Sequence, residues 1–113
     1  MSIKITVLKS GDQLISDMKE LMAENENKVQ AYMLVNPHTY EISEKQFMTE
    51  EEKELEDSDF GINVSLLPWI ILSKDKKMII PTDSVLTVVE PLESVTQLYL
   101  DKVGSFEMEE IDD

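Results

Sequence analysis

Cysteine and arginine are both absent from the 113 residues, and histidine occurs once. Without cysteine there are no disulfides, no thiolate nucleophile and no thiolate metal site. Without arginine the chain lacks the planar fork that grips phosphates and base edges. Together with a formal net charge of -14, that absence argues against strong non-specific nucleic-acid binding. No long apolar stretch exists either. The longest, Leu66 to Leu72, is far short of the roughly 20 residues a membrane helix needs. The N-terminus, Met-Ser-Ile-Lys-Ile-Thr-Val-Leu, alternates and predicts a strand rather than a signal peptide, so a cytoplasmic protein is expected. The lone His38 follows Pro37 in a predicted loop and has no partners at metal-ligand or general-base spacing. No phosphate loop, dinucleotide fingerprint or nucleophile–base set is present, so the expectation is no enzyme, no cofactor and no metal site.

What is present suffices for a folded domain. An apolar fraction of 42% is ordinary for a globular chain and rules against disorder of the whole. The charge is uneven. Residues 41–60 hold nine acids and two lysines, and residues 105–113 hold five acids and no base. The remaining chain is close to neutral, so a near-neutral body carries two acidic segments. Both are expected to be mobile, with residues 44–58 and 106–113 dispensable for folding and a helical turn at Thr49–Glu54 at most in the first.

Period-two patterning predicts strands over residues 3–8, 13–22 and 28–35, with a turn at Ser10-Gly11-Asp12 and a break at Asn36-Pro37. A helix is the alternative for 13–22, where Leu14, Met18, Leu21 and Met22 also fit a 3.6 period, but the short turn before it favours a hairpin. Residues 63–72 form a fourth predicted strand, with Pro68 marking an edge, a bulge or a bend. Two short strands are predicted over 77–80 and 84–89, joined through Pro81-Thr82-Asp83. Pro91 opens a predicted helix whose Leu92, Val95, Leu98, Tyr99 and Val103 share one face, with Gly104 as its stop. The run Leu66-Leu-Pro-Trp-Ile-Ile-Leu72 is apolar on both faces, which points to a second covering layer: the helix or another subunit. The seven methionines read as core filler.

Two stretches resemble the Sm-like (LSm) superfamily. Ile5-Thr-Val-Leu-Lys-Ser-Gly-Asp-Gln-Leu-Ile15 is similar to its opening hairpin. Met78-Ile-Ile-Pro-Thr-Asp-Ser-Val-Leu-Thr-Val88 is similar to its second motif, an apolar strand, a tight turn and a last strand. Asn36-Pro37, Leu67-Pro68-Trp69 and the Glu90-Pro91 helix containing Tyr99 resemble the small Sm-like proteins of cyanophage-type tailed phages.

The resemblance implies a mainly β fold: a small, strongly bent five-stranded antiparallel open barrel, Sm-like or SH3-like, with a C-terminal helix. The resemblance covers residues 3–40 and 62–104 and implies a single domain over residues 1–104, with an acidic mobile insertion at about 41–60 and a disordered acidic tail at 105–113. The function it implies is a ring-forming scaffold or binding protein, phage-encoded, with weak RNA binding as one role. The partners are then other copies of the chain, in a ring of five to seven. Gln30 falls near the position where RNA-binding relatives carry an asparagine, and Pro81-Thr82 replaces their Arg-Gly. The RNA-contact candidates are therefore Gln30, Pro81, Thr82 and Asp83. Those for the subunit interface are Leu66, Leu67, Pro68, Trp69, Ile70, Ile79, Val85 and Leu86. A protein-interaction module that uses the acidic loop and tail against a basic partner is the alternative.

Overall fold

A computed structural model of the chain describes residues 1–24, 27–44, 53–54 and 62–111; within them the side chains of 43–44, 53–54, 62 and 105–111 are left aside. Among the described residues, seven strands and one C-terminal helix make the fold mainly β. The chain divides into two compact units, residues 1–39 with 68–91 and residues 40–67 with 92–113.

The first unit begins with β1 (Ile3–Leu8) and β2 (Gln13–Met22), the two strands expected from alternation. The turn between them is held by Gly11 N–H donating to Leu8 O at 2.9 Å and Leu8 N–H donating to Asp12 O at 2.8 Å. Gly11 has φ +100°. That is a conformation glycine adopts without the Cβ clash other residues meet, so the turn signal has a backbone cause. Next comes β3 (Val29–Glu44), which pairs with β2 on one side and with β6 (Lys77–Pro81) on the other. The last strand, β7 (Val85–Val89), pairs with β1. The order is thus β6-β3-β2-β1-β7, five antiparallel strands.

The two outer strands, β6 and β7, are consecutive in the chain and joined only by a 3-10 turn at Thr82–Ser84. In a flat sheet, four strand spacings would part them by about 19 Å, whereas the four peptide units from Pro81 to Val85 span at most about 14 Å. The sheet must therefore curl. Three bulges supply curvature. Gln30 is an extra residue between the pairs Met22–Val29 and Leu21–Ala31, Asn36-Pro37 opposes Ser16 alone, and Leu86 is extra between Val85 and Thr87. Inside the curl, Leu8, Leu14, Leu34 and Ile80 form the buried core, with Met18, Tyr32, Trp69 and Val85 packed against it. No ladder joins β6 to β7 among the described residues, so the sheet stays unclosed.

Asn36-Pro37 does not end the third strand, contrary to the reading of the sequence. Asn36 takes φ +52°, a region asparagine tolerates better than most residues, and the chain kinks and continues. Three hydrogen bonds fix the kink: Asn36 N–H to Lys76 O at 2.6 Å, Trp69 N–H to Pro37 O at 2.9 Å, and His38 Nδ1 to Asn36 O at 2.8 Å. His38 is thus a buried strand residue rather than a loop residue. Trp69 and Lys76 serve adjacent residues of β3, so residues 70–75 loop out from that edge.

In the second unit, β4 (Lys53–Glu54) pairs with β5 (Ile62–Pro68), and β5 neighbours β3, the strand both units share. Residues 41–44 and 53–54 of the stretch expected to be one mobile loop are therefore strand. Of the helical turn expected at Thr49–Glu54, Lys53-Glu54 is strand and the rest lies outside the described residues. The fourth predicted strand stops at Pro68 instead of Leu72, where the missing N–H ends pairing. Helix α1 (Glu93–Ile111) starts after Pro91, with Thr96 N–H donating to Leu92 O at 2.9 Å and Glu93 favourably placed in the first turn. Of its predicted face, Leu98 and Tyr99 are buried while Leu92 is exposed. The helix passes through Gly104 and into the segment expected to be unstructured.

Two substitutions test these backbone assignments. A Cβ at Gly104 meets no atom within 4 Å. Gly104→Ala is expected to stabilise the protein by about 0.5–1 kcal/mol in denaturant unfolding if the helix runs through it; destabilisation would mean a left-handed helix stop. Asn36→Val should cost about 1–2 kcal/mol, and Asn36→Gly less, because only the former clashes at positive φ.

Candidate functional site

Register brings the sequence candidates for ligand contact together. Val29 pairs with Met22 and Ala31 with Pro81. Gln30, between them, therefore lies at the same end of the curled sheet as the Thr82–Ser84 turn and the loop after Met22. Gln30, Pro81 and Asp83 are exposed, and Thr82 is half-buried. The β3 bulge aims Gln30 out of strict alternation. Around this end stand Glu24 and Lys28, both exposed, while Glu26 lies outside the described residues.

The interface candidates separate by burial. Leu66 is 3% exposed and so presents no free side chain to a partner. Leu67, Pro68, Trp69 and Val85 are half-buried, the last two against the core. Ile70, Ile79 and Leu86 are exposed, together with Ile71 and Leu72. Ile79 belongs to β6 and Leu86 to β7, the strands whose outer edges carry no ladder in the five-stranded order.

Sequence reasoning missed a groove of ≈ 350 Å³ lined by Leu8, Lys9, Ser10, Trp69, Ile80, Pro81, Asp83 and Ser84. Its residues come from the β1–β2 turn, the segment after β5, and the β6–β7 connection. Nothing in linear spacing announces that meeting; only the curl creates it. The hydrogen bond from Lys9 N–H to Ser84 O, 2.9 Å, ties the first and third of these segments together. A second groove, ≈ 490 Å³, has Lys4, Met18, Tyr32 and Val88 in its lining. Its Lys4 is ion-paired with Glu90. Among the described residues no group of three His, Cys, Asp or Glu could hold a metal ion. No helix there is long and apolar enough to cross a membrane.

A family model matches residues 1–104, from the first strand to Gly104 and across the acidic stretch. The chain belongs to DUF6561. The description of DUF6561 is a family of unknown function, and it names no ligand, activity or assembly. No curated protein matches the chain. In this DUF6561 chain the candidate site rests on geometry alone.

Exchanging exposed residues should leave the scaffold intact. Gln30→Ala and Leu72→Ser are each expected to change unfolding free energy by no more than about 0.5 kcal/mol, whereas Leu14→Ala, at a fully buried position, should cost about 2–5 kcal/mol. Equilibrium denaturation of the three variants checks both limits.

Proposed function

We propose that this chain is a non-enzymatic subunit of a closed homo-oligomeric ring, Sm-like in plan, acting as a scaffold and weak RNA binder in the cytoplasm of a phage-infected host. The observation that carries the reading is the pair of outer strands. β6 and β7 each have one laddered edge in the five-stranded order, and each displays an exposed apolar side chain, Ile79 64% and Leu86 68% exposed. Such edges invite pairing with another chain. Two different edges of one subunit meet head to tail, and a head-to-tail contact closes into a ring when the rotation permits. The five-stranded order with a short 3-10 connection is compatible with that plan.

RNA would meet the end bearing Gln30, Pro81, Thr82 and Asp83. Repeated acids there repel phosphate, and no arginine offsets them, so affinity is expected to be no tighter than about micromolar at physiological salt. Base stacking and amide or backbone hydrogen bonding are the remaining means of recognition.

A second reading has its own observation. By sequence, the second unit holds sixteen acids against three lysines, a net of -13, whereas the first holds eight acids against seven lysines. A charge so concentrated suits a basic protein partner. Binding lost on deleting 41–60 or 105–113 would favour this reading.

Native mass measurement decides the first proposal. The expected mass is that of about five to seven subunits, and Ile79→Lys with Leu86→Lys should reduce it while leaving circular dichroism unchanged. A monodisperse monomer at micromolar concentration overturns the ring. Filter binding of uridine- and adenine-rich oligonucleotides at two salt concentrations tests the RNA role; a nanomolar affinity abolished by Gln30→Ala would contradict the weak-binding expectation.

A further inference from the structure

We propose that the groove beside Trp69 is a nucleobase site, selective for guanine, with Lys9 placed to meet the attached phosphate. The inference deepens the nucleic-acid part of the function proposed above and rests on that reading only for the source of the base, a strand or a free nucleotide.

Four features of the lining converge on this chemistry. Trp69 is half-buried, packs against the core and lines the groove. A tryptophan at a groove wall is suited to stack a planar base. Asp83 is exposed in the same lining, and a carboxylate only accepts hydrogen bonds. Guanine offers two adjacent donors on one edge, N1–H and N2–H, which match the two carboxylate oxygens. Adenine and cytosine offer one amino group beside an acceptor, and uracil one N–H between two acceptors. Lys9, exposed at the groove, supplies the cation that a phosphate seeks and that a second cation avoids. The walls are fixed before any ligand arrives. Leu8 and Ile80 belong to the buried core, and Lys9 N–H is bonded to Ser84 O. Ser10 Oγ is already directed at Asp12, 2.8 Å away, which keeps that hydroxyl from competing for Asp83.

The size agrees. At ≈ 350 Å³ the groove lies near the lower end of the roughly 300–1,000 Å³ of small-ligand sites, suited to one nucleotide rather than a stack of bases. An arginine side chain from a basic protein is the closest competitor, since a guanidinium also stacks on tryptophan and forks onto a carboxylate. Lys9 disfavours it by charge.

Trp69 is the sole tryptophan, so its emission reports on this groove alone. The experiment titrates the full-length protein with GMP, AMP, UMP, guanosine and arginine amide at constant ionic strength, following tryptophan fluorescence. GMP is expected to quench saturably, with a Kd about tenfold below those of AMP and UMP. Asp83→Asn should abolish that preference. Lys9→Gln should weaken GMP, AMP and UMP alike and leave guanosine unchanged. Both residues are exposed, and unchanged circular dichroism verifies the fold of each variant. No saturable quenching by GMP at millimolar concentration overturns the proposal. So does quenching that survives unaltered in both variants, or arginine amide binding in preference to GMP. A guanine-containing tetranucleotide binding more tightly than GMP identifies a strand as the source, and equal binding identifies the free nucleotide. Oligomer mass and oligonucleotide binding measured on the same preparation separate the two ideas: a ring that binds RNA without perturbing Trp69 overturns the groove and leaves the ring standing.

Discussion

Three residues, Thr82–Ser84, connect the outer strands of a five-stranded sheet, and the rest of the first unit follows from how little distance they can cover. Because the connection is shorter than the width of a flat sheet, the strands curl, and the concave side becomes a core of Leu8, Leu14, Leu34 and Ile80. The bulges at Gln30, Asn36-Pro37 and Leu86 supply the bend that the curl requires. The same curl leaves β6 and β7 near in sequence yet unpaired with each other, and it sets the β1–β2 turn beside the β6–β7 turn, where the Trp69 groove opens.

Burial divides the apolar residues into two populations with different uses. Those on the inward side of the strands are almost wholly removed from water, and even polar Thr6 and Ser16 are enclosed with them. Thr6 Oγ1 reaches Met18 Sδ at 3.5 Å, a weak contact. The outward set, Ile70, Ile71, Leu72, Ile79 and Leu86, lies at 46% exposure or more. Single exposed apolar side chains are normal. Their concentration on one looped segment and two free edges is what distinguishes this surface.

Much of the strand layout was legible in the sequence, because alternation and turn residues act locally. Ile3–Leu8 and Val85–Val89 rest on β-branched residues, Gln13–Met22 rests on the short turn before it, and Gly11 rests on a backbone need. The failures share a cause: tertiary contacts overrode local signals. Asn36-Pro37 reads as a terminator, yet Lys76 and Trp69 supply its backbone with partners and the strand goes on. Leu66–Leu72 reads as one strand, yet Pro68 stops pairing and the remaining apolar residues leave the sheet. Gly104 reads as a helix stop, but a glycine whose Cβ position is open space can be carried along inside a longer helix. Of the candidate site, Gln30 and Pro81–Asp83 came from the resemblance to Sm-like sequences, and the ladder sets them at one end of the sheet. The approach of Lys9 to Trp69 had no such signal, since no spacing rule relates residues sixty positions apart.

The loop between Trp69 and Lys76 has a bearing on how this chain can change length. Its two ends are bonded to neighbouring residues, Pro37 and Asn36, so the ladder along β3 closes as if nothing stood between them. Insertion, deletion or grafting within residues 70–75 alters neither the register of β6 on β3 nor the bonds that fix the kink. Loop-closure entropy rises only slowly with length. The segment is therefore a port in the scaffold, a place where a foreign epitope or a longer natural sequence is accommodated while the curled sheet behind it keeps its form.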